Sequence, residues 1–141
     1  MKRFSAITLT AIFVLLLAFS HAIFAGKSYG TISGKLAWPG ESIPPMKICA
    51  QRLNHKAITC MKLTAKNYHQ AKYQWKLPVG KYYIFAHVLN KQAVITPQYR
   101  AYYSEFVTCG IKASCRSHKP IPVIVQHHKQ LKNINPIDWY N

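Results

Sequence analysis

From Tyr29 onward the chain is made of short runs in which apolar and polar residues alternate, broken by Gly, Pro and Asn. A period of two is the repeat of a strand with one face buried, and no stretch sustains the 3.6-residue period of an amphipathic helix. Ile32, Gly34, Leu36 and Trp38 share one face of a first strand, which Pro39-Gly40 ends. After Pro44-Pro45, Met46, Ile48 and Ala50 alternate with Lys47, Cys49 and Gln51, and a third strand over Ala57 to Leu63 carries Cys60. Tyr73, Trp75 and Leu77 alternate with Lys72, Gln74 and Lys76, the cleanest pattern in the chain, with a basic outer face. Pro78-Val79-Gly80 reads as a tight turn into the aromatic, β-rich run Tyr82 to Leu89, so the two segments are expected to form a hairpin. Past Pro97, Tyr99 to Val107 fits a strand or a short helical turn. Ile121, Val123 and Val125 share a face, His127-His128-Lys129 makes a polar turn, and Ile134, Ile137 and Trp139 close the chain. About seven short strands with frequent turns predict an all-β, antiparallel β-sandwich.

The first 25 residues follow a different rule. Lys2 and Arg3 precede an uncharged stretch from Ile7 to Phe19, and small residues stand at Ser20, Ala22 and Ala25. A charged start, an apolar middle and a small-residue exit are the pattern of a secretory signal peptide, with cleavage expected after Ala22 or Ala25. The alternative is an uncleaved anchor, but the uninterrupted apolar part falls short of the roughly 20 residues that span a bilayer core. Residues 26–141 are then one domain with no transmembrane span, exported to the periplasm or secreted, and about 115 residues suffice for one core.

Export changes how the cysteines read. Cys49, Cys60, Cys109 and Cys115 all follow the leader, and an even number in an exported chain points to two disulfides. Of three pairings, proximity favours Cys49 with Cys60 and Cys109 with Cys115. No pair has the C-x2-C spacing of a structural zinc site. Charge changes the picture again: 19 Lys and Arg stand against Glu41, Glu105 and Asp138, and loss of the leader lowers the formal charge only from +16 to +14. Such a surface attracts anionic lipid headgroups, acidic polysaccharide or an acidic envelope protein, with strong salt dependence. The leader argues against nucleic acid as the physiological partner.

The stretch Tyr73-Gln-Trp75-Lys-Leu77-Pro78-Val79-Gly80-Lys-Tyr82-Tyr-Ile84-Phe-Ala86 resembles the central segment of carboxypeptidase regulatory-like domains, and Gly30-Thr-Ile32-Ser-Gly34-Lys-Leu36 with Pro39-Gly40 resembles their first strand and loop. The resemblance spans most of residues 28–90. It implies a prealbumin-like or Ig-like sandwich that serves as a non-catalytic accessory or binding module of the bacterial envelope, without a cofactor. A related fold with an enzymatic branch, the hydroxyisourate hydrolases, ends in Tyr-Arg-Gly-Ser, whereas this chain ends Asp138-Trp139-Tyr140-Asn141.

Three acidic side chains leave little for acid–base catalysis, and no Gly-x-Ser-x-Gly turn marks a nucleophile. No catalytic residue is expected. The best exposed ligand candidates are Tyr99, Arg100, Tyr102 and Tyr103, where aromatic rings and a guanidinium stand together after a Pro-punctuated loop. The alternative is a metal site or enzyme built on His118, His127, His128 and Asp138, since imidazole and carboxylate suit zinc or copper, although H-x3-H spacing is absent. A further alternative is a structural subunit that lends an edge strand to an envelope assembly.

Overall fold

Two sheets carry the chain, as expected for its alternating pattern, and one core lies between them. The computed structural model describes residues 26–41, 43–55, 57–63, 71–89 and 99–140. The expected signal peptide and its cleavage points lie outside the described residues. The strands are β1 (Tyr29–Lys35), β2 (Met46–Arg52), β3 (Ile58–Lys62), β4 (Lys72–Pro78), β5 (Gly80–Val88), β6 (Arg100–Tyr102), β7 (Val123–Val125) and β8 (Gln130–Leu131), with one short helix, α1 (Glu105–Cys109). Among the described residues no helix is long and apolar enough to cross a membrane.

The smaller sheet has the order β4-β1-β8 and the larger β3-β2-β5-β6, with β7 also on β5. All pairings are antiparallel except β1 with β8, which run parallel through Thr31↔Gln130 and Ile32↔Leu131. That exception departs from the purely antiparallel expectation. β7 ends on the larger sheet, and the His127-His128 turn carries the chain straight onto β1. β5 is the hub of its sheet. β2 fills one edge from Tyr82 to Val88, while β6 and β7 lie end to end on the other, at Phe85–His87 and Gly80–Tyr82.

This arrangement corrects the expected hairpin. β4 and β5 are in different sheets, so Pro78-Val79-Gly80 is a crossover between layers. Both edges of β5 are occupied, leaving none for β4. The polar groups of the crossover bond elsewhere: Val79 N–H donates to the Ser28 carbonyl at 2.9 Å, the Arg52 guanidinium donates to the Val79 carbonyl at 2.9 Å, and the Tyr82 hydroxyl donates to the Pro78 carbonyl at 2.9 Å. A sequence pattern marks the turn but not the sheet that receives the next strand.

Alternation decides which residues enter the core. Ile32, Tyr73 and Leu77 face it from the smaller sheet, and Met46, Ile48, Ala50, Tyr82, Ile84, Ala86 and Val88 from the larger. Burying Ile32, Ile48, Ile84 and Leu77 contributes about 2 kcal/mol each, together more than the roughly 3 kcal/mol of a short disulfide loop. The two disulfides, Cys49–Cys60 and Cys109–Cys115, therefore reinforce a fold that the core already favours.

The C-terminal segment closes the structure against β1. Asn135 Oδ1 accepts from Lys35 N–H at 2.7 Å, Trp139 Nε1 donates to the Ala37 carbonyl at 2.8 Å, and the buried Tyr73 hydroxyl donates to the Ile134 carbonyl at 2.6 Å. Burial, with Tyr103 beside it, holds the Tyr73 hydroxyl well above its ordinary pKa, so it remains a donor. A glycine is required where this segment passes: a Cβ on Gly34 would collide with the Ile134 carbonyl.

Candidate functional site

The larger sheet has an outer face, opposite the core, that its register organises into rows. Along β2 the core takes Met46, Ile48 and Ala50, which turns Lys47, Cys49 and Gln51 outward; along β5 it takes Tyr82, Ile84, Ala86 and Val88, which turns Tyr83, Phe85 and His87 outward. Cross-strand pairing then aligns Cys60, Cys49, Phe85 and Tyr102 in one row. The next row is Lys62, Lys47, His87 and Arg100. Neighbouring strands lie about 4.8 Å apart, so four basic or imidazole side chains cross the sheet over about 14 Å.

The two rows support each other. Phe85 and Cys49 are buried although they point away from the core. The Arg100 guanidinium sits over the Phe85 ring at 4.7 Å from its centroid, and Tyr102 tilts against the same ring at 5.4 Å. Arg100 also reaches the Tyr102 hydroxyl at 3.5 Å. The guanidinium thus caps the ring, with the Cys49–Cys60 bridge closing the row at the far edge.

The described strands contain neither aspartate nor glutamate. The chain's three acidic side chains are Glu41 in the β1–β2 connection, Glu105 on α1, and Asp138, which is fully buried. Lys47 and Lys62 are directly opposite on antiparallel strands. Like charges so placed repel, by a few tenths of a kcal/mol to about 1 kcal/mol, and an anion seated between them reverses the sign.

The four expected ligand residues divide between two surfaces. Arg100 and Tyr102 belong to this outer face. Tyr99 and Tyr103 pack against the core, Tyr99 in an aromatic cluster 5.2 Å from Trp139 and 6.1 Å from Trp38. Ala101, wholly buried between Arg100 and Tyr102, supplies the inward alternation that the sequence alone did not display. Lys47, Lys62, His87 and Phe85 were missed as site residues, because their alignment is a matter of register. One signal was available: a Cys49–Cys60 bridge across antiparallel strands places Lys47 opposite Lys62.

The histidine alternative also divides. His118 Nδ1 lies 3.0 Å from each Asp138 carboxylate oxygen, Ser104 Oγ donates to Oδ2 at 2.6 Å, and Tyr140 N–H donates to Oδ1 at 3.2 Å. The His118 ring stacks on Phe106 at 4.5 Å. His127 and His128 instead stack on one another, 3.8 Å between centroids, in the β7–β8 turn. Among the described residues no three His, Cys, Asp or Glu side chains gather to hold a metal. Nor is this a Ser-His-Asp relay. Ser104 is fully buried and donates to the Asp138 carboxylate rather than to the imidazole, so the three side chains do not follow the order of that relay. The same bond explains why Ser104, at the N-cap of α1, makes no side-chain cap.

Comparison with protein-family models, with curated proteins and with solved structures finds no match to this chain.

Proposed function

We propose that this chain is an exported, non-enzymatic binding module of the prealbumin-like sandwich type, which engages anionic partners through the outer face of its larger sheet. The observation that carries the reading is the row Lys62, Lys47, His87 and Arg100, aligned in register on strands without a carboxylate. Two disulfides suit an oxidising compartment, the periplasm or the cell exterior, and the charged, apolar leader of residues 1–25 is how the chain would reach it. The partners are lipid headgroups, acidic polysaccharide or an acidic envelope protein, recognised by charge without a cofactor. The non-enzymatic part of the reading is supported by Ser104 and His118 both binding Asp138, an order other than that of a Ser-His-Asp relay.

The test is binding of the purified, disulfide-bonded protein to immobilised polyanions across a salt series, beside Lys47→Glu/Lys62→Glu. Retention that falls with salt, and that the double reversal weakens by roughly tenfold or more, supports the reading. Equal retention of variant and wild type would overturn it. N-terminal sequencing of protein recovered from periplasm and medium tests export separately, with Ile23 or Gly26 expected as the first residue.

A further inference from the structure

The smaller sheet repeats the charge arrangement of the larger one on the opposite side of the molecule. Lys35 and Lys72 are directly opposite in the β1–β4 register, Ser33 faces Gln74, and Thr31 faces Lys76. All six point away from the buried Ile32, Tyr73 and Leu77, and the three lysines are exposed. Stacked sheets lie about 10 Å apart and turn their outer faces in opposite directions, so one flat ligand cannot cover both. Each face thus has its own pair of like charges directly opposed across an antiparallel ladder: Lys47 with Lys62, and Lys35 with Lys72. One basic face would be the ordinary result of a basic composition, but a directly opposed lysine pair in each sheet gives the molecule two anion seats.

We propose that the protein is bivalent, each face seating the acidic groups of a linear polysaccharide, so that one molecule bridges two polymer chains. The proposal rests on the anion-binding reading above and adds valency and ligand class. The side chains of the smaller face favour polysaccharide over bilayer. Thr31, Ser33 and Gln74 offer hydroxyls and an amide beside the ammonium groups, which suits a ligand dense in hydroxyl and carboxylate. The Tyr29 ring on this face lies under the Lys76 ammonium, 5.1 Å from its centroid. Membrane-surface binding draws on apolar side chains pushed into the headgroup boundary, and among the described residues of β1 and β4 this face presents no aliphatic one beyond Pro78 for that purpose. On the larger face, Tyr102 and the Arg100 guanidinium add a stacking surface for sugar rings.

The experiment uses polygalacturonate of defined length, with binding read by titration calorimetry and bridging by light scattering. The variants are Lys47→Gln/Lys62→Gln, Lys35→Gln/Lys72→Gln and the quadruple combination, each checked by circular dichroism. Wild type is expected to bind and to build large scattering complexes that disperse again when protein is in excess, the mark of a two-headed linker. Either double variant keeps binding but loses at least roughly tenfold in scattering, and the quadruple loses both. A double variant that bridges as well as wild type would overturn bivalency, as would a stable dimer of the free protein that accounts for the two heads. Clustering of vesicles containing phosphatidylglycerol without binding to the polymer would overturn the ligand class and leave the anion-binding reading standing. Binding to neither would remove both.

Discussion

Asp138 is a carboxylate fully removed from water, and it persists because a hydroxyl, an imidazole and a backbone N–H all point at it. Deleting the carboxylate strands the buried Ser104 hydroxyl and the Tyr140 N–H at once, whereas deleting the part-exposed imidazole lets water reach Asp138 from that side. Asp138→Ala is therefore expected to lower stability by about 3 kcal/mol in urea unfolding, whereas His118→Ala, whose side chain is one-third exposed, costs about 1 kcal/mol. A loss for His118→Ala as large as that for Asp138→Ala would contradict this division. Tyr73 makes the second residue-scale prediction. Its folded pKa is raised, so its contribution is fully present below the ordinary tyrosine value near 10 and is lost as pH climbs above it. The melting temperature of wild type should fall more steeply above about pH 10 than that of Tyr73→Phe, which begins lower because the Ile134 carbonyl loses its donor. At Gly34, alanine must displace the Ile134 carbonyl and is expected to cost about 1–3 kcal/mol in the same assay.

At the scale of elements, β3 is the strand least supported by burial, with Ile58, Thr59, Cys60 and Lys62 all exposed. What keeps it on β2 is the ladder and the Cys49–Cys60 bridge. Replacing both cysteines by alanine should cost about 2–4 kcal/mol and, in hydrogen exchange, release the amides of β3 while those of β2 and β5 stay protected. Uniform release across the larger sheet would show that the bridge supports more than its own strand. The elements were also where the sequence was most readable. Tyr73, Trp75 and Leu77 announce β4, and Met46, Ile48 and Ala50 announce β2, because each inward side chain is apolar and each outward one is polar or a cysteine. Tyr99 to Val107 stayed open between strand and helical turn because the inward residue of β6 is only Ala101 and the five residues of α1 are too few to show a helical period; β6 and α1 follow one another there. Partnership between elements was less readable still: the turn at Pro78-Val79-Gly80 looks alike whether the next strand returns beside β4 or joins the other layer. The candidate face inherits that difficulty. Arg100 and Tyr102 could be singled out as residues, but the row they belong to exists only once β3, β2, β5 and β6 are set in register.

For the whole molecule, a formal charge of +16, carried among the described residues mainly by exposed side chains, works against its own compactness. Raising ionic strength from about 0.01 M to about 0.15 M shortens the screening length from about 30 Å to about 8 Å, and the melting temperature is expected to rise with it. A fall would mean that attractive ion pairs outweigh the repulsion, which the scarcity of acidic residues opposes. A polyanion should raise the melting temperature further at the same ionic strength, and charge-neutral dextran should not. The closing contacts of the smaller sheet join residues about a hundred positions apart: Ser33 to Leu131, Lys35 to Asn135, Ala37 to Trp139. A chain that emerges N-terminus first therefore keeps β1 incomplete until residues 131–139 have appeared. The order of synthesis thus delays closure of the smaller sheet until that segment has been made.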